Sequence, residues 1–584
     1  MAGTANERIG SKRGWRRLAP GMIVLGLLPA ACASGDLSQT PEPVRPGSST
    51  VGNYLAGRHA QADNDYRAAL TFLDASLAAD PGNVDLLRRA FLLTSAEGDM
   101  KRAVELAAKL ETLDAKAPLA DMVLVIEEIK HDRNDAAARR LDKMPDGGIN
   151  AFVVPLIRAW VEFGRGNIDV AIQTLEKAAA RESAKPLMHL HTALLSEAAG
   201  RIGEAKNHYQ LVADSQRGFS LRVAQLMGAM LERAGEPDAA KVLYEKYLSE
   251  RPESRLLADA MARVAGKAKA PNIEVATASA GVAEGLFGIA SSLRQQNARE
   301  TALILGQYAL YLKPNFPVVQ ILIGDILEAD RRPESANNIY ASIDPKSPFA
   351  WPAKLRIATN LDRMERTDEA IRRLEEYATQ VPDDPEPLVN LGDILRGRKR
   401  FDDAVDAYDR AVARTPDLGP QHWSLLYSRG IALERANKWA RAEKDFLKAL
   451  EFEPDQPFVL NYLGYSWVEK GMHLDRALAM IKKAVSLRPS DGYIVDSLGW
   501  VHYQLGAYED AVKELERAVE LRPDDPVIND HLGDAFWQVG RRHEARFQWQ
   551  RALGLKPEPD VVESIKKKLK EGLAELPPKP KSNG

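Results

Sequence analysis

Residues that do chemistry are sparse in this 584-residue chain, and they are not arranged for catalysis. There is one cysteine, Cys32, so neither an intramolecular disulfide nor a thiolate zinc site can form. The ten histidines are scattered. His189 and His191 are two apart, and helical residues so spaced do not face each other. His543 opens HEARF, which lacks the second histidine of a zinc-binding H-E-x-x-H. G-x-S-x-G, Walker-type and C-x-x-C patterns are absent. The expectation is no enzyme, no cofactor, no metal and no small-molecule substrate. The sequence instead gathers aromatic rings among Asp, Asn and Gln near its C-terminal end. These are Phe458, Asn461, Tyr465, Tyr493, Asp496, Trp500, Tyr503, Gln504, Asp530, Asp534, Trp537 and Gln538. Such a mixture on a concave surface suits an extended or helical peptide.

The elements that position these residues repeat. Gly533 is followed by Ala545, Trp549, Ala552 and Pro557 at +12, +16, +19 and +24. Gly499 has Ala511, Leu515, Ala518 and Pro523 at the same offsets, Gly430 has Ala442, Phe446, Ala449 and Pro454, and Gly392 has Ala404, Tyr408, Ala411 and Pro416. Gly464 keeps the pattern with one inserted residue, giving Ala477, Ile481, Ala484 and Pro489. Small, large, small and proline at these spacings is the tetratricopeptide pattern. Small residues let two antiparallel helices approach, and proline ends the second helix. The large residue is expected to fill space against the neighbouring repeat. Looser anchors continue upstream at Ala358, Gly324 and Gly288, and then at Gly228, Ala193, Ala159, Val125, Phe91 and Gly57. Steps from 57 to 193 are all 34 residues. The sequence thus predicts an all-α superhelical solenoid of about 14 helix pairs in two blocks. No stretch outside the repeats is long enough for a hidden catalytic domain, which needs about 100 residues.

Residues 51–264 form the degenerate N-terminal repeats and 286–558 the C-terminal ones. Between them, 265–285 is rich in small residues and contains Pro271. It reads as a joint with extended backbone or, alternatively, as a surface insertion in one continuous superhelix. Over 559–574, Val561, Ile565, Leu569 and Leu573 make an apolar stripe at i, i+4, which predicts a capping helix. Lys566, Lys567, Lys568 and Lys570 read as its solvated face. The tail, 575–584, is expected to be disordered.

The first 35 residues are a separate object. A basic leader, Arg8 to Arg17, precedes a short apolar run, Gly21–Leu28. That run is too short to span a bilayer and reads as a signal-peptide core, so 1–31 is expected to be removed. Pro29-Ala30-Ala31-Cys32 resembles a bacterial lipobox, with Pro29 where Leu, Val or Ile is usual. The resemblance implies lipidation at Cys32 and a flexible tether over 32–50. Ala33 after the cysteine implies the periplasmic face of the outer membrane. Ala31-Cys32-Ala33 is also an ordinary cleavage site, which would leave a soluble periplasmic protein. Net charge is −3, from 79 basic and 82 acidic residues, which gives no whole-chain argument for nucleic acid.

In tetratricopeptide folds the first helix of each pair lines the concave groove, at −6, −3, +1, +4 and +5 from the anchor. Those offsets select the aromatic and polar residues named above, although Trp500 and Trp537 equally suit packing between repeats. Lys and Asn of a carboxylate clamp are missing, because Asp496, Trp500 and Gln504 stand there. Two stretches, Asn461–Gly506 and Ile528–Leu553, are similar to a proteobacterial family of exported, lipid-anchored tetratricopeptide proteins. The family's best-understood type is an outer-membrane lipoprotein adaptor of a periplasmic carboxyl-terminal processing protease. The resemblance implies a scaffold that presents murein hydrolases to that protease. The alternative is an assembly factor, such as a pilotin or export-machine scaffold.

Overall fold

The computed structural model describes residues 44–113, 116–145, 147–215, 220–251, 254–266 and 268–573. Cys32, the expected signal peptide, most of the tether and the tail over 575–584 lie outside these residues. Among the described residues are thirty α-helices, a 3-10 turn at Pro420–His422 and no strand. No helix there is long and apolar enough to cross a membrane.

The helices form fourteen antiparallel pairs, and every predicted anchor lies on the first helix of its pair. Six pairs run from Thr50–Ala62 with Tyr66–Ala79 to Leu221–Arg233 with Pro237–Glu250. A lone helix, Ala258–Ala265, follows. Eight more pairs run from Ala278–Gln295 with Arg299–Leu312 to Pro526–Gln538 with Arg542–Gly554. Local chemistry sets the starts. Pro526 is the first residue of its helix, and Asp525 accepts hydrogen bonds from the amides of Val527 and Ile528.

The large residue of each repeat does not reach to the next repeat first, as the spacing suggested. It fills the space left by its own anchor. A Cβ on Gly324 would lie 2.1 Å from Tyr340, and one on Gly533 would lie 2.5 Å from Trp549. In one pair the sizes reverse, with Phe91 and Ala107 both buried.

Seven residues beyond the anchor (nine after Gly288) the chain turns through a left-handed residue. Fourteen such positions run from Asn64 to Gly540, one in each helix–helix turn. Seven are Gly and three are Asn, the types that adopt positive φ most easily. The inserted residue in the Gly464 repeat is absorbed by a second left-handed residue, His473 (φ 46°).

The joint departs from expectation. Residues 278–285 belong to the helix Ala278–Gln295, and only the segment up to Thr277 is irregular. Its small residues are not helix breakers. They permit contact: a Cβ on Gly281 would lie 2.0 Å from Trp160, and one on Gly285 would lie 2.2 Å from Leu156. The pair Ala278–Gln295 and Arg299–Leu312 therefore packs into the N-terminal block. Ser279 Oγ donates to the Ile129 carbonyl at 3.3 Å, and Tyr311 donates to Glu127 at 2.7 Å. Tyr308 donates to the Leu119 carbonyl at 3.2 Å. One continuous apolar core runs from Tyr66 to Ala353. The irregular strap is pinned by cations. Arg233 donates to the carbonyls of Pro271 and Asn272 at 3.0 and 3.2 Å. Arg222 binds Glu284, which is 2 % exposed, at 2.6 Å and Glu274 at 2.8 Å. Burial opposes charge on Glu274, but Arg222 and Lys313 hold its carboxyl down at about 2.

The cap, Pro559–Glu571, closes the other end with Ile565 fully buried. Lys568 is not solvated as its three neighbours suggested. It sits three residues from Ile565, on the buried face, and binds Asp530 at 2.8 Å and Asp534 at 2.7 Å. Trp537 is 5 % exposed, and its indole nitrogen donates to the Leu573 carbonyl at 2.8 Å.

Two stability outcomes follow from this packing. Gly281→Leu should destabilise the interlock by about 2 kcal/mol or more, because Trp160 already fills the space. Gly203→Leu, whose Cβ meets nothing, should be close to neutral. Hydrogen exchange over 278–312 measures the difference. Lys568→Met leaves two buried carboxylates without a cation, at a cost of about 3 kcal/mol. Exchange over 559–571 should rise sharply in that variant and stay unchanged in Lys567→Met, which alters an exposed lysine.

Candidate protein-binding groove

The concave positions of the repeats anchored at Val125, Ala159 and Ala193 are already occupied. Leu119, Ile129, Leu156, Trp160 and Leu187 stand at groove offsets, and all of them touch the chain's own 278–312 pair. Trp160 is wholly buried, and its indole nitrogen donates to His191 Nδ1 at 3.0 Å. Burial pushes the His191 imidazole down to about 3, which keeps it neutral. His189 instead meets His208, with Nδ1 atoms 3.1 Å apart. No group of three or more potential ligands that could hold a metal ion occurs among the described residues.

The C-terminal concave face is different. Phe458 is 38 % and Tyr493 50 % exposed, and each ring carries a guanidinium 4.9 Å from its centroid, Arg488 and Arg522 respectively. Gln504 is exposed, while Asn461, Tyr465, Trp500 and Gln538 are half-buried. Asn461 donates to Ser497 Oγ at 3.1 Å, and its own side-chain oxygen has no hydrogen-bond partner. Burial raises the Tyr465 hydroxyl above its ordinary value, with Glu469 and Asp496 adding to it, so the ring stays a neutral donor.

A stacked column stands at the centre. Trp500 lies between Tyr503, at 4.8 Å and 7°, and His531, at 4.0 Å and 18°. Its indole nitrogen donates to Glu469 at 2.7 Å. Tyr503 is buried and its hydroxyl accepts from Gln538 at 3.4 Å. Asp496 is buried against His531, 3.0 Å from Nδ1. Trp500 thus offers a partner its edge, while both faces are covered.

Five expected groove residues are not available to a partner, Asp496 and Tyr503 because they are buried in that column. Asp530 and Asp534 are buried beneath the cap and ion-paired to Lys568, and Trp537 is sealed by Gly572 and Leu573. The last pair needs a cover for its open face, and the cap supplies it where another repeat would lie. The sequence reading missed His531, Glu469 and Lys568. Glu469 stands at +5 from Gly464, so the offset rule itself could have found it. His531 falls one place outside the rule, at −2 from Gly533.

The accessible set therefore narrows to Phe458, Asn461, Tyr465, Tyr493, Trp500 and Gln504 on two adjacent repeats, with Gln538 half-buried on the next. This surface offers aromatic area, amide hydrogen bonding and the exposed Glu469 carboxylate beside Trp500, and it has no nucleophile–base pair.

Comparison with known proteins agrees with this architecture. Tetratricopeptide-repeat models match residues 355–419 and 400–457, and a second repeat model matches 499–540. The TPR repeat-containing protein PA4667 of Pseudomonas aeruginosa is 31 % identical over 194 residues, covering 33 % of this chain and 32 % of that protein. The cytochrome c-type biogenesis protein CycH of Rhizobium meliloti is 30 % identical over 142 residues, covering 24 % of this chain and 36 % of that protein. The chain thus spans about a third of the length of these curated relatives. Among solved structures, the APC/C hetero-tetramer Cut9–Hcn1 aligns at 17 % identity and a TM-score of 0.38, over 90 % of this chain and 97 % of that one. The helix pairs and their spacing make the fold an all-α tetratricopeptide-repeat superhelix, and the chain is similar over a third of its length to a bacterial tetratricopeptide-repeat protein.

Proposed function

We propose that the protein is a non-catalytic adaptor that holds a segment of a partner protein in its C-terminal groove. The carrying observation is the contrast between the two concave faces. The middle of the N-terminal face is filled by the chain's own helices, whereas Phe458, Tyr493 and Gln504 remain open. Aromatic anchors beside amides are the residue types that dominate binding energy at protein interfaces. The reading extends to place and partner. The basic leader, apolar core and Cys32 support export, with a lipid anchor at the periplasmic face of the outer membrane. The resemblance of the C-terminal repeats supports a carboxyl-terminal processing protease as the partner, with murein hydrolases as its clients. The N-terminal block then acts as a rigid spacer between anchor and groove, because its own groove is closed.

The test is affinity capture from detergent-solubilised envelope with the tagged full chain. Phe458→Ala with Tyr493→Ala removes two exposed rings and should leave the fold intact. Recovery of a periplasmic protease should fall about 10-fold or more in that variant, as for loss of interface anchors. Equal recovery by both forms would remove the groove from the interface.

A further inference from the structure

We propose that His531 is a protonation switch for the C-terminal groove: while charged it clamps Trp500 in place, and on losing its proton it releases the indole and weakens partner binding. This deepens the adaptor reading and rests on it for the partner, though not for the movement of Trp500.

The geometry is that of a clamp. The imidazole lies 4.0 Å from the Trp500 ring at 18°, so a charged ring makes a cation–π contact over its whole face. Nδ1 lies 3.0 and 3.1 Å from the two oxygens of Asp496, on the same helix as Trp500 and one turn before it. Glu469, from the preceding repeat, holds the far edge of the indole. Two neighbouring repeats and the ring between them are thus joined through one imidazole.

Carboxylates and aromatic rings surround His531. On its own helix stand Asp530 and Asp534, and both are ion-paired to Lys568 of the cap. Helix Gly492–Gln504 contributes Asp496, and helix Pro457–Glu469 contributes Glu469 through the indole. Helix Arg542–Gly554 presents neutral Trp549, which donates to Asp534 at 2.9 Å. Helix Tyr508–Leu521 presents Tyr508 against Tyr503. Lys568 pairs with the Asp530 and Asp534 carboxylates, and Asp496 is the one within hydrogen-bond reach of His531. Burial disfavours the imidazolium, but Asp496 outweighs that, with Asp534 and Asp530 adding to it, and the group titrates above its ordinary 6.5. The sign follows from linkage. A raised folded value stabilises fully below 6.5, and the stabilisation is lost as pH rises through that raised value. The clamp is closed in mildly acidic solution and opens on the alkaline side. Opening also leaves Asp496 buried without a counter-ion, which weakens the contact between the two repeats.

Trp500 reports the switch, because a stacked imidazolium quenches indole emission. The difference in emission between the full chain and its Trp500→Phe variant should rise with pH, with a midpoint above 6.5. His531→Gln should abolish the transition. Asp496→Asn, which keeps the imidazole, should move the midpoint down by about 1–2 pH units. Partner recovered on beads should fall several-fold across the same window in the wild type and stay level in His531→Gln. A flat emission difference, or one that titrates unchanged in His531→Gln, would overturn the switch. Emission that titrates while partner recovery stays level would overturn its control of binding and leave the adaptor reading standing. A titrating emission with no partner recovered at any pH would count against the adaptor reading and uphold the clamp itself.

Discussion

A two-helix repeat cannot bury both of its faces, and everything else in this protein follows from how it covers them. Within a pair, the constraint is the size match between the anchor and the residue sixteen places on. Glycine against tyrosine, phenylalanine or tryptophan, or the reversed pair of Phe91 and Ala107, keeps the two helices at one separation. Between pairs, the same need for cover is met by stacking. At the two places where stacking fails, the chain improvises. After Glu250 the array is interrupted, and the next helix pair turns back to fill the concave face of the first block. After Gly554 the array ends, and the cap brings Lys568 onto Asp530 and Asp534. Between these two solutions the groove around Tyr493 and Gln504 stays open.

Most of the fold was legible because its signals are local and periodic. All fourteen anchors fall on first helices, including Phe91, Val125, Ala159 and Ala193, which carry no glycine. Their burial explains why the period survives the loss of the motif: position, and not residue type, is what packing enforces. A further periodic signal went unread. The left-handed residue seven places after nearly every anchor is written as Gly or Asn in ten of fourteen turns.

What the sequence hid is long-range. Gly281 and Gly285 look like linker residues, yet they are small because Trp160 and Leu156 lie against them. No spacing rule links residue 281 to residue 160. The groove suffered in the same way. Offsets from an anchor place a side chain on the concave side, but they do not say what covers it. Trp537 and Tyr493 carry equally good offsets, and one is sealed by Leu573 while the other is half exposed. Lys568 shows the reverse error: a lysine in a run of lysines, buried because its face also carries Ile565.

The two concave faces are best compared by thiol labelling in the full chain, with Cys32 replaced by Ser. Leu156→Cys reports the N-terminal groove, and Gln504→Cys reports the C-terminal one. A closed N-terminal groove predicts labelling at 156 at least about 100-fold slower than at 504, as expected for a site that opens only by sub-global unfolding. Similar rates at the two positions would mean that the 278–312 pair does not occupy the N-terminal groove, and the assignment of binding to the C-terminal repeats would fall with it.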